Sequence, residues 1–293
     1  MPELPEVETV RLGLARLLPG RVITAVQHDT AKSFPNNPNE VASHLIGATV
    51  EQVDRRGKAL IIELNTGFSL LTHLKMTGQL VFREPEGEQF GAGHPNDSLI
   101  GDLPDKSTRV IFDFADGSHL YFNDQRKFGW VKFMRSEQVP DEPFMLKLGP
   151  EALSEDFTFE DFRARLKRRP RTSIKAAILD QSVLAGVGNI YADEGLFAAR
   201  IHPSTPVEKV SAVKLKRLYV ALREVMQLSI SLGGSSDKNY VDVAGRKGSY
   251  LKFAQVFRRE GQPCLHCGRA IEKIRVAGRG THVCSHCQPR ARA

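Results

Sequence analysis

Residues 1–10 read MPELPEVETV. Pro5 suits the first turn of a helix, because its missing N–H has no partner there in any case. Val7, Val10, Leu14 and Leu17 recur at helical spacing, so the sequence predicts an amphipathic helix from about residue 5 to 18. That accounts for Pro5 and the apolar stripe. It leaves Pro2 unexplained, standing directly after Met1 with Glu3 and Glu6 close by. Met-Pro on its own is an ordinary beginning, and only the rest of the chain gives Pro2 a meaning.

Downstream, residues 20–135 are rich in short apolar and aromatic runs: ALIIEL (59–64), SLLTHL (69–74), RVIFDF (109–114), SHLYF (118–122) and WVKFM (130–134). These are strand signals, and NTG (65–67) and ADG (115–117) between them are hairpin signals. Closely spaced strands of this kind predict a sandwich or barrel. Residues 83–108 are polar and rich in Gly and Pro, and are expected to form an exposed loop or insertion. Residues 136–156 carry three prolines and several acids and are expected to link two domains. From 157 to 232 the pattern turns helical: FEDFRARLKRR, IKAAILDQSVLAG, IYADEGLFAARI and VSAVKLKRLYVALREVMQLSISL. The stretch 233–250 is rich in Gly and Ser. The division predicted is 1–135, a linker 136–156, a helical domain 157–257 and a terminal module 258–293.

All four cysteines lie in that last module, Cys264 and Cys267 in PCLHC, Cys284 and Cys287 in VCSHC. Two C-x2-C pairs separated by sixteen residues have the spacing of a structural zinc site. Each pair presents two thiolates from one tight turn, and four thiolates complete a tetrahedron. A closed shell leaves no open position, so one tightly held zinc should serve structure and not catalysis. Ile271, Ile274 and Val276, with Gly278 and Gly280 after them, read as a β-hairpin carrying the two pairs. Two disulfides are the alternative. They suit an oxidising compartment, and the N-terminus lacks a basic region followed by an apolar one, as secretion would require. His266 and His286 lie inside the pairs but are not needed as ligands.

A hydrophobic content of 41% with 26% charged residues describes a soluble globular chain, and no run approaches the roughly 20 apolar residues of a membrane span. A cytoplasmic monomer is the expectation. The net charge of +7 is a weak pointer to a polyanion. Its distribution is a stronger one: RARLKRRPRTSIK (163–175) has seven basic residues and no acid, and eight more follow from Arg258 onward. Either run alone reads as a solvated face, whereas two, one of them spanning a metal motif, point to nucleic acid.

PELPEVETV, THLKMTGQL (72–80), NDQRKFG (123–129), LAGVGNIYADE (184–194) and the four-cysteine module occur in that order. Together they resemble the formamidopyrimidine-DNA glycosylase family, the 8-oxoguanine DNA glycosylases, over nearly the whole chain. The PELPE beginning separates it from the sister endonuclease VIII branch, which begins with a PEGPE-like run, whereas VGNIYADE is shared by both. The resemblance implies an α+β multidomain fold. It has an N-terminal helix on a two-sheet β-sandwich, a helix–two-turn–helix domain and a zinc β-hairpin, with duplex DNA in a basic cleft between two lobes. It implies excision of oxidised purines, formamidopyrimidines and 8-oxoguanine opposite cytosine, followed by strand cleavage at the abasic site.

Pro2 then has a physical account. Removal of Met1 exposes a secondary amine. A free α-amino group has a pKa of about 7.7–8.0, and the positive end of the helix lowers it further. A neutral amine can attack the sugar carbon that carries the damaged base and form an iminium, as lysine does in Schiff-base enzymes. The iminium acidifies the adjacent C–H, so β- and then δ-elimination follow. The resemblance assigns Glu3 to sugar-ring opening, Lys58 to proton donation and a phosphate, Arg279 to a phosphate and the second elimination, and Glu6 to a place beside the amine. It assigns Met76, Arg126 and Phe128 as probes inserted where the base leaves. Phe can wedge between base pairs, and Arg offers donors to the orphaned cytosine. His73, Asn189 and Tyr191, with Arg171 and Lys175, are assigned to phosphates around the flipped nucleotide. The loop 233–250 matches a region that closes over the extruded base.

The chain departs from the family pattern at three places. DQRKFG stands where DPRRFG is usual, so Lys127 keeps the charge but not a bidentate fork. KSTRV (106–110) stands where KHDHV is common. Arg258, in VFRREGQPC, stands where glycine is usual, which bears on the local turn. Two other functions stay open at this point: an endonuclease VIII-like glycosylase for oxidised pyrimidines, and a zinc-containing protein that binds damaged DNA without catalysis.

Overall fold

The computed structural model describes residues 2–94, 96–235 and 250–290. They fall into two compact units, residues 2–146 with 232–235, and residues 147–231 with 250–290. The predicted linker divides at Leu146 and Lys147.

The first unit opens with α1 (Leu4–Leu17). Its predicted stripe of Val7, Val10, Leu14 and Leu17 is buried. Nine strands follow: β1 (Ile23–His28), β2 (Val50–Arg56), β3 (Ala59–Leu64), β4 (Phe68–His73), β5 (Gly78–Arg83), β6 (Gln89–Gly93), β7 (Thr108–Phe114), β8 (His119–Asp124) and β9 (Trp130–Arg135), with a one-turn helix α2 (Pro38–Glu40) after β1. All pairings are antiparallel. They form a five-stranded sheet in the order β1-β7-β8-β5-β6 and a four-stranded sheet in the order β2-β3-β4-β9. One hydrophobic core contains Phe82, Phe112 and Phe122 from the first sheet, Leu60, Leu70 and Val131 from the second, and the α1 stripe. This is the predicted helix on a two-sheet sandwich. The five runs read as strands are strands, and NTG and ADG turn β3 into β4 and β7 into β8.

The stretch 83–108 is not simply an exposed loop. Residues Gln89–Gly93 form the edge strand β6 on β5. Phe90 is buried in the main core, and Leu99 packs with Val81 and Tyr121 in a small second cluster. The glycines that suggested a loop permit close approach instead. A Cβ on Gly91 would lie 2.9 Å from the Leu99 carbonyl oxygen, and one on Gly93 would lie 2.5 Å from that of Gly78. Phe90 in turn lies on the backbone of α1, where a Cβ on Gly13 would come within 2.1 Å of its ring.

The second unit contains α3 (Phe159–Lys167), α4 (Ile174–Leu179), α5 (Asn189–Ala198), α6 (Ala212–Ser231), α7 (Tyr250–Phe253) and the hairpin β10 (Glu272–Val276) and β11 (Arg279–Val283). Thr158 and Asp161 form a capping box at the start of α3, and Ser173 caps α4. The helical reading of IKAAILDQSVLAG holds only to Leu179. Asp180 Oδ1 accepts the N–H and the hydroxyl of Ser182, a local turn that competes with further helix. Helix α5 packs closely on α6, since a Cβ on Gly195 would lie 2.7 Å from Leu222. Arg223 of α6 donates to the carbonyls of Ala152 and Ser154, both at 2.9 Å, and so fixes the segment before α3. No described helix is long and apolar enough to cross a membrane.

Candidate catalytic terminus, DNA-probe loops and zinc hairpin

At the start of the first unit, Pro2 is buried two residues before α1. Glu3 is the N-cap residue, and its N–H donates to Glu6 Oε2 at 2.9 Å, so the helix begins with a reciprocal cap. The other Glu6 oxygen accepts the Ser235 N–H at 3.0 Å. Gly234, with φ +92, lies over this carboxylate, and a Cβ there would stand 3.5 Å from Glu6 Cγ. Two residues further along α1, burial raises the pKa of Glu8, but hydrogen bonds from Arg11 (2.9 Å) and Arg55 (2.8 Å) outweigh burial and hold it below the ordinary value.

Lys58 occupies the second position of the two-residue turn between β2 and β3, where Arg56 pairs with Ala59. Gly57, at the first position, takes φ +58, which such a turn needs and glycine supplies without strain. Ala59 pairs with His73 on β4, so the turn places Lys58 beside His73. The His73 pKa is lowered to about 3, first by burial and then by the positive charges of Lys75 and Lys58. Its ring is therefore neutral at physiological pH. Nδ1 accepts the Lys75 N–H at 3.0 Å, which leaves the proton on Nε2 as a fixed donor.

Two turns carry the predicted probes. Met76 is half-buried in the turn between β4 and β5, and Arg126 and Phe128 are exposed in the turn between β8 and β9. Phe128 is 45% exposed, in contrast to the buried Phe122 and Phe133 on the strands that flank this turn. The Arg126 guanidinium lies 4.8 Å from the centre of its ring and the Lys32 amine 5.5 Å. Lys127 takes φ +55 and pairs with Asp29 at 3.7 Å. Arg109, in the KSTRV departure, is buried; it holds Asp29 at 2.7 Å and the Asp124 carbonyl at 2.8 Å.

In the second unit, Arg279 is exposed as the first residue of β11. The turn before it places Ala277 at φ +48 and Gly278 at φ +77, the conformation of a tight two-residue hairpin. Arg171 is exposed, and Asn189 is partly buried at the first position of α5, with Nδ2 donating to the Gly280 carbonyl at 3.0 Å. Two residues expected at phosphates lie inside the unit. Lys175 is fully buried, 2.6 Å from Asp193 and 2.7 Å from Thr281 Oγ1, and Tyr191 is fully buried with its hydroxyl 2.6 Å from Ser229 Oγ. Lys175 sits in a basic run, but the apolar residues around it in IKAAIL place it on the inner face of α4.

Sequence reasoning passed over the two acids of VGNIYADE. Asp193 takes Lys175 on one oxygen and the His282 N–H on the other, at 2.9 Å. Glu194 accepts the N–H groups of Gln255, Val256 and Phe257 at 2.8–2.9 Å. The motif thus anchors the zinc hairpin and the segment that leads into it. The signal present in the sequence was an acid pair amid small and apolar residues of a helix. Arg258, next along, takes φ +58, a conformation that favours glycine. The extruded-base loop, 236–249 of the predicted 233–250, lies outside the described residues.

The sulfurs of Cys264, Cys267, Cys284 and Cys287 all lie within 4.8 Å of one another, with contacts of 3.5 and 3.9 Å. A tetrahedron with Zn–S bonds of about 2.3 Å has sulfurs roughly 3.8 Å apart, so the four thiols fit one zinc. Phe197, Val256 and Ile271 form a cluster with Cys264 and Cys284, and Cys267 and Cys287 pack against it. Such a site holds the hairpin and offers no open position.

Three family descriptions match in sequence order. They are the formamidopyrimidine-DNA glycosylase N-terminal domain over residues 1–131, the H2TH domain of the same enzymes over 148–240, and the zinc finger found in FPG and IleRS over 261–290. These define the class: a three-module protein with an N-terminal glycosylase domain, an H2TH domain and a four-cysteine zinc finger. The formamidopyrimidine-DNA glycosylase of Listeria innocua is 39% identical over 289 residues, 98% of this chain and 100% of its own, and that of Heliobacterium modesticaldum is 40% identical over 290, with the same coverage. The crystal structure of MutM (Fpg) from Thermus thermophilus is 40% identical, covers 99% of each chain and has a TM-score of 0.83. A complex of Lactococcus lactis Fpg with DNA containing an abasic site is 34% identical, covers 98% of this chain and 99% of its own, with a TM-score of 0.85. The chain belongs to the formamidopyrimidine-DNA glycosylase family.

Proposed function

We propose that the chain is a bifunctional DNA glycosylase and abasic-site lyase of base-excision repair, acting on oxidised purines in duplex DNA. The observation that carries this reading is the position of Pro2, buried at the positive end of α1 with Glu3 and Glu6 in the first turn. Burial and the helix end both disfavour a charged amine, whereas the Glu3 and Glu6 carboxylates favour it, and once Met1 is removed the neutral fraction of the Pro2 amine is the nucleophile. Its lone pair attacks C1′ and the base departs with the electrons of the C1′–N bond. The sugar ring then opens, Glu3 delivering the proton that the ring oxygen requires, and the iminium forms. Loss of a C2′ proton expels the 3′ phosphate, and a second elimination expels the 5′ phosphate. Lys58 supplies a proton and holds a phosphate, Arg279 holds a phosphate, and Glu6 keeps the amine oriented.

Of the DNA-contact residues, Arg126, Phe128 and Arg171 are exposed and His73, Met76 and Asn189 are partly buried. Met76, Arg126 and Phe128 fill the space the lesion leaves. His73, through Nε2–H, and Asn189 and Arg171 take phosphates. Zinc supplies the fold of the hairpin that carries Arg279, and the cysteines perform no chemistry. The assignment divides the work among residues 1–135, 157–257 and 258–293 and places the protein with the DNA in the cytoplasm.

Borohydride trapping on a duplex with 8-oxoguanine opposite cytosine tests the reading. The expected result is a covalent adduct that peptide mapping locates on Pro2. Tight binding with no adduct from protein with a mature N-terminus would favour a damage-binding function. Preferential trapping on oxidised pyrimidines would favour the endonuclease VIII-like one.

A further inference from the structure

The two probe turns come from different places in the chain, one between β4 and β5 and the other between β8 and β9. Both converge on Asp124. This carboxylate is buried at the end of β8 and has four donors around it. Oδ1 accepts the Thr77 hydroxyl, from the turn that carries Met76, and the Arg126 N–H at 3.2 Å. Oδ2 accepts the Phe128 N–H at 2.8 Å and the Gly129 N–H at 2.7 Å. Thr77 Oγ1 closes the link by accepting the Arg126 N–H at 3.1 Å. Gly129 is required for this packing, since a Cβ there would lie 2.6 Å from the Phe122 ring and 3.2 Å from Asp124 Oδ2.

We propose that Asp124 is a positioning residue for base extrusion. It holds the backbone under Arg126 and Phe128 and, through Thr77, ties it to the turn that carries Met76, so that all three probes enter the duplex as one rigid unit. The inference rests on the assignment of those three residues as probes. An ionised carboxylate suits the place because both of its oxygens only accept. An asparagine there would turn an N–H2 group toward two donors, whichever way it faced. The outward position of Phe128 is then a product of the turn: three backbone N–H groups are drawn inward to one carboxylate, and the side chain between them points out. A probe held in this way loses little conformational freedom when it inserts, whereas a loose one must be ordered against the cost of unstacking the duplex.

The test compares Asp124→Asn and Thr77→Val with the wild-type chain in single-turnover excision. The substrates are a duplex with 8-oxoguanine opposite cytosine, a duplex with a preformed abasic site, and a duplex in which mismatches beside the lesion weaken its stacking. Misplacing the probes by about 1 Å should lower the ratio of the lesion rate to the abasic-site rate by as much as about 10²-fold in Asp124→Asn. Thr77→Val, which breaks only the link between turns, should lower it less. The weakened duplex should restore most of the ratio, which a general folding defect would not allow. Equal losses on all three substrates, or an unchanged ratio in both variants, would overturn the proposal. Absence of excision by the wild-type chain would instead defeat the glycosylase reading on which it rests.

Discussion

Lys175 and Asp193 form a fully buried ion pair, Nζ to Oδ1 at 2.6 Å, and the second oxygen of Asp193 holds the backbone of His282 on the zinc hairpin. One carboxylate thus joins α4, α5 and β11. Breaking such a pair from one side leaves an uncompensated charge and costs about 3–5 kcal/mol. Lys175→Ala should therefore lower the urea midpoint of the helical unit sharply. Lys175→Met combined with Asp193→Leu, which removes both charges, should recover only part of the loss, because it leaves the His282 N–H without its acceptor. The salt dependence of DNA affinity provides a second check. It should keep its slope in Lys175→Met, whereas loss of a phosphate contact would reduce it by about 0.9.

The neutral state of His73 has two measurable consequences. Its folded pKa of about 3 lies below the ordinary 6.5. The unfolded state therefore binds more protons below pH 6.5, and stability declines as pH falls from 6.5 toward 3, with no contribution above that window. His73→Gln should flatten the acid side of the stability profile. In DNA binding, His73→Ala should weaken affinity without changing the slope of log K against log salt. Arg279→Ala should reduce that slope by about 0.9.

Phe128→Ala and Arg126→Ala should slow excision from duplex DNA more than cleavage at a preformed abasic site. Both side chains are exposed and outside the core, so neither change should alter the stability measured by urea denaturation by more than about 0.5 kcal/mol. A large loss of stability in either variant would assign the residue to the fold.

Gly13 tests the packing of β6 on the first helix. Gly to Ala within a helix ordinarily stabilises by up to about 1 kcal/mol. Here the added methyl would displace the Phe90 ring, so Gly13→Ala should destabilise instead, by about 1–3 kcal/mol. The double change Gly13→Ala with Phe90→Leu should be less harmful than the sum of the two single changes. Chemical denaturation measures both.

Metal analysis should find one zinc per chain. Exhaustive chelation should expose the hairpin to proteolysis between Cys264 and Cys287 and weaken DNA binding, since Arg279 lies on the hairpin that the four thiols hold. The fold of residues 2–146 should persist, because its core contains no cysteine.

Much of this molecule was legible in the sequence because the relevant signals are local. Apolar spacing after Pro5 marks α1, and five strand runs with two hairpin turns mark most of the sandwich. Two C-x2-C pairs mark the zinc hairpin. The strands β1, β2, β5 and β6 were harder to read. VEQVDRR, for example, buries only Val50 and Val53, too few to show an alternating pattern. Charge was the least reliable local guide. The basic run 163–175 contains both Arg171, exposed to solvent, and Lys175, fully buried.

By itself, then, the sequence determined the order of the modules, the metal site and the family, because short-range spacing and ordered motifs carry that information. Tertiary structure decided which polar side chains face inward. Lys175, Tyr191, Asp193, Glu194 and Asp124 are all buried, and each has partners far away in the chain or in a turn whose shape the chain alone does not state. A buried charge is tolerable only where several partners converge on it. That convergence is a property of the folded chain, and no residue pattern along the sequence displays it.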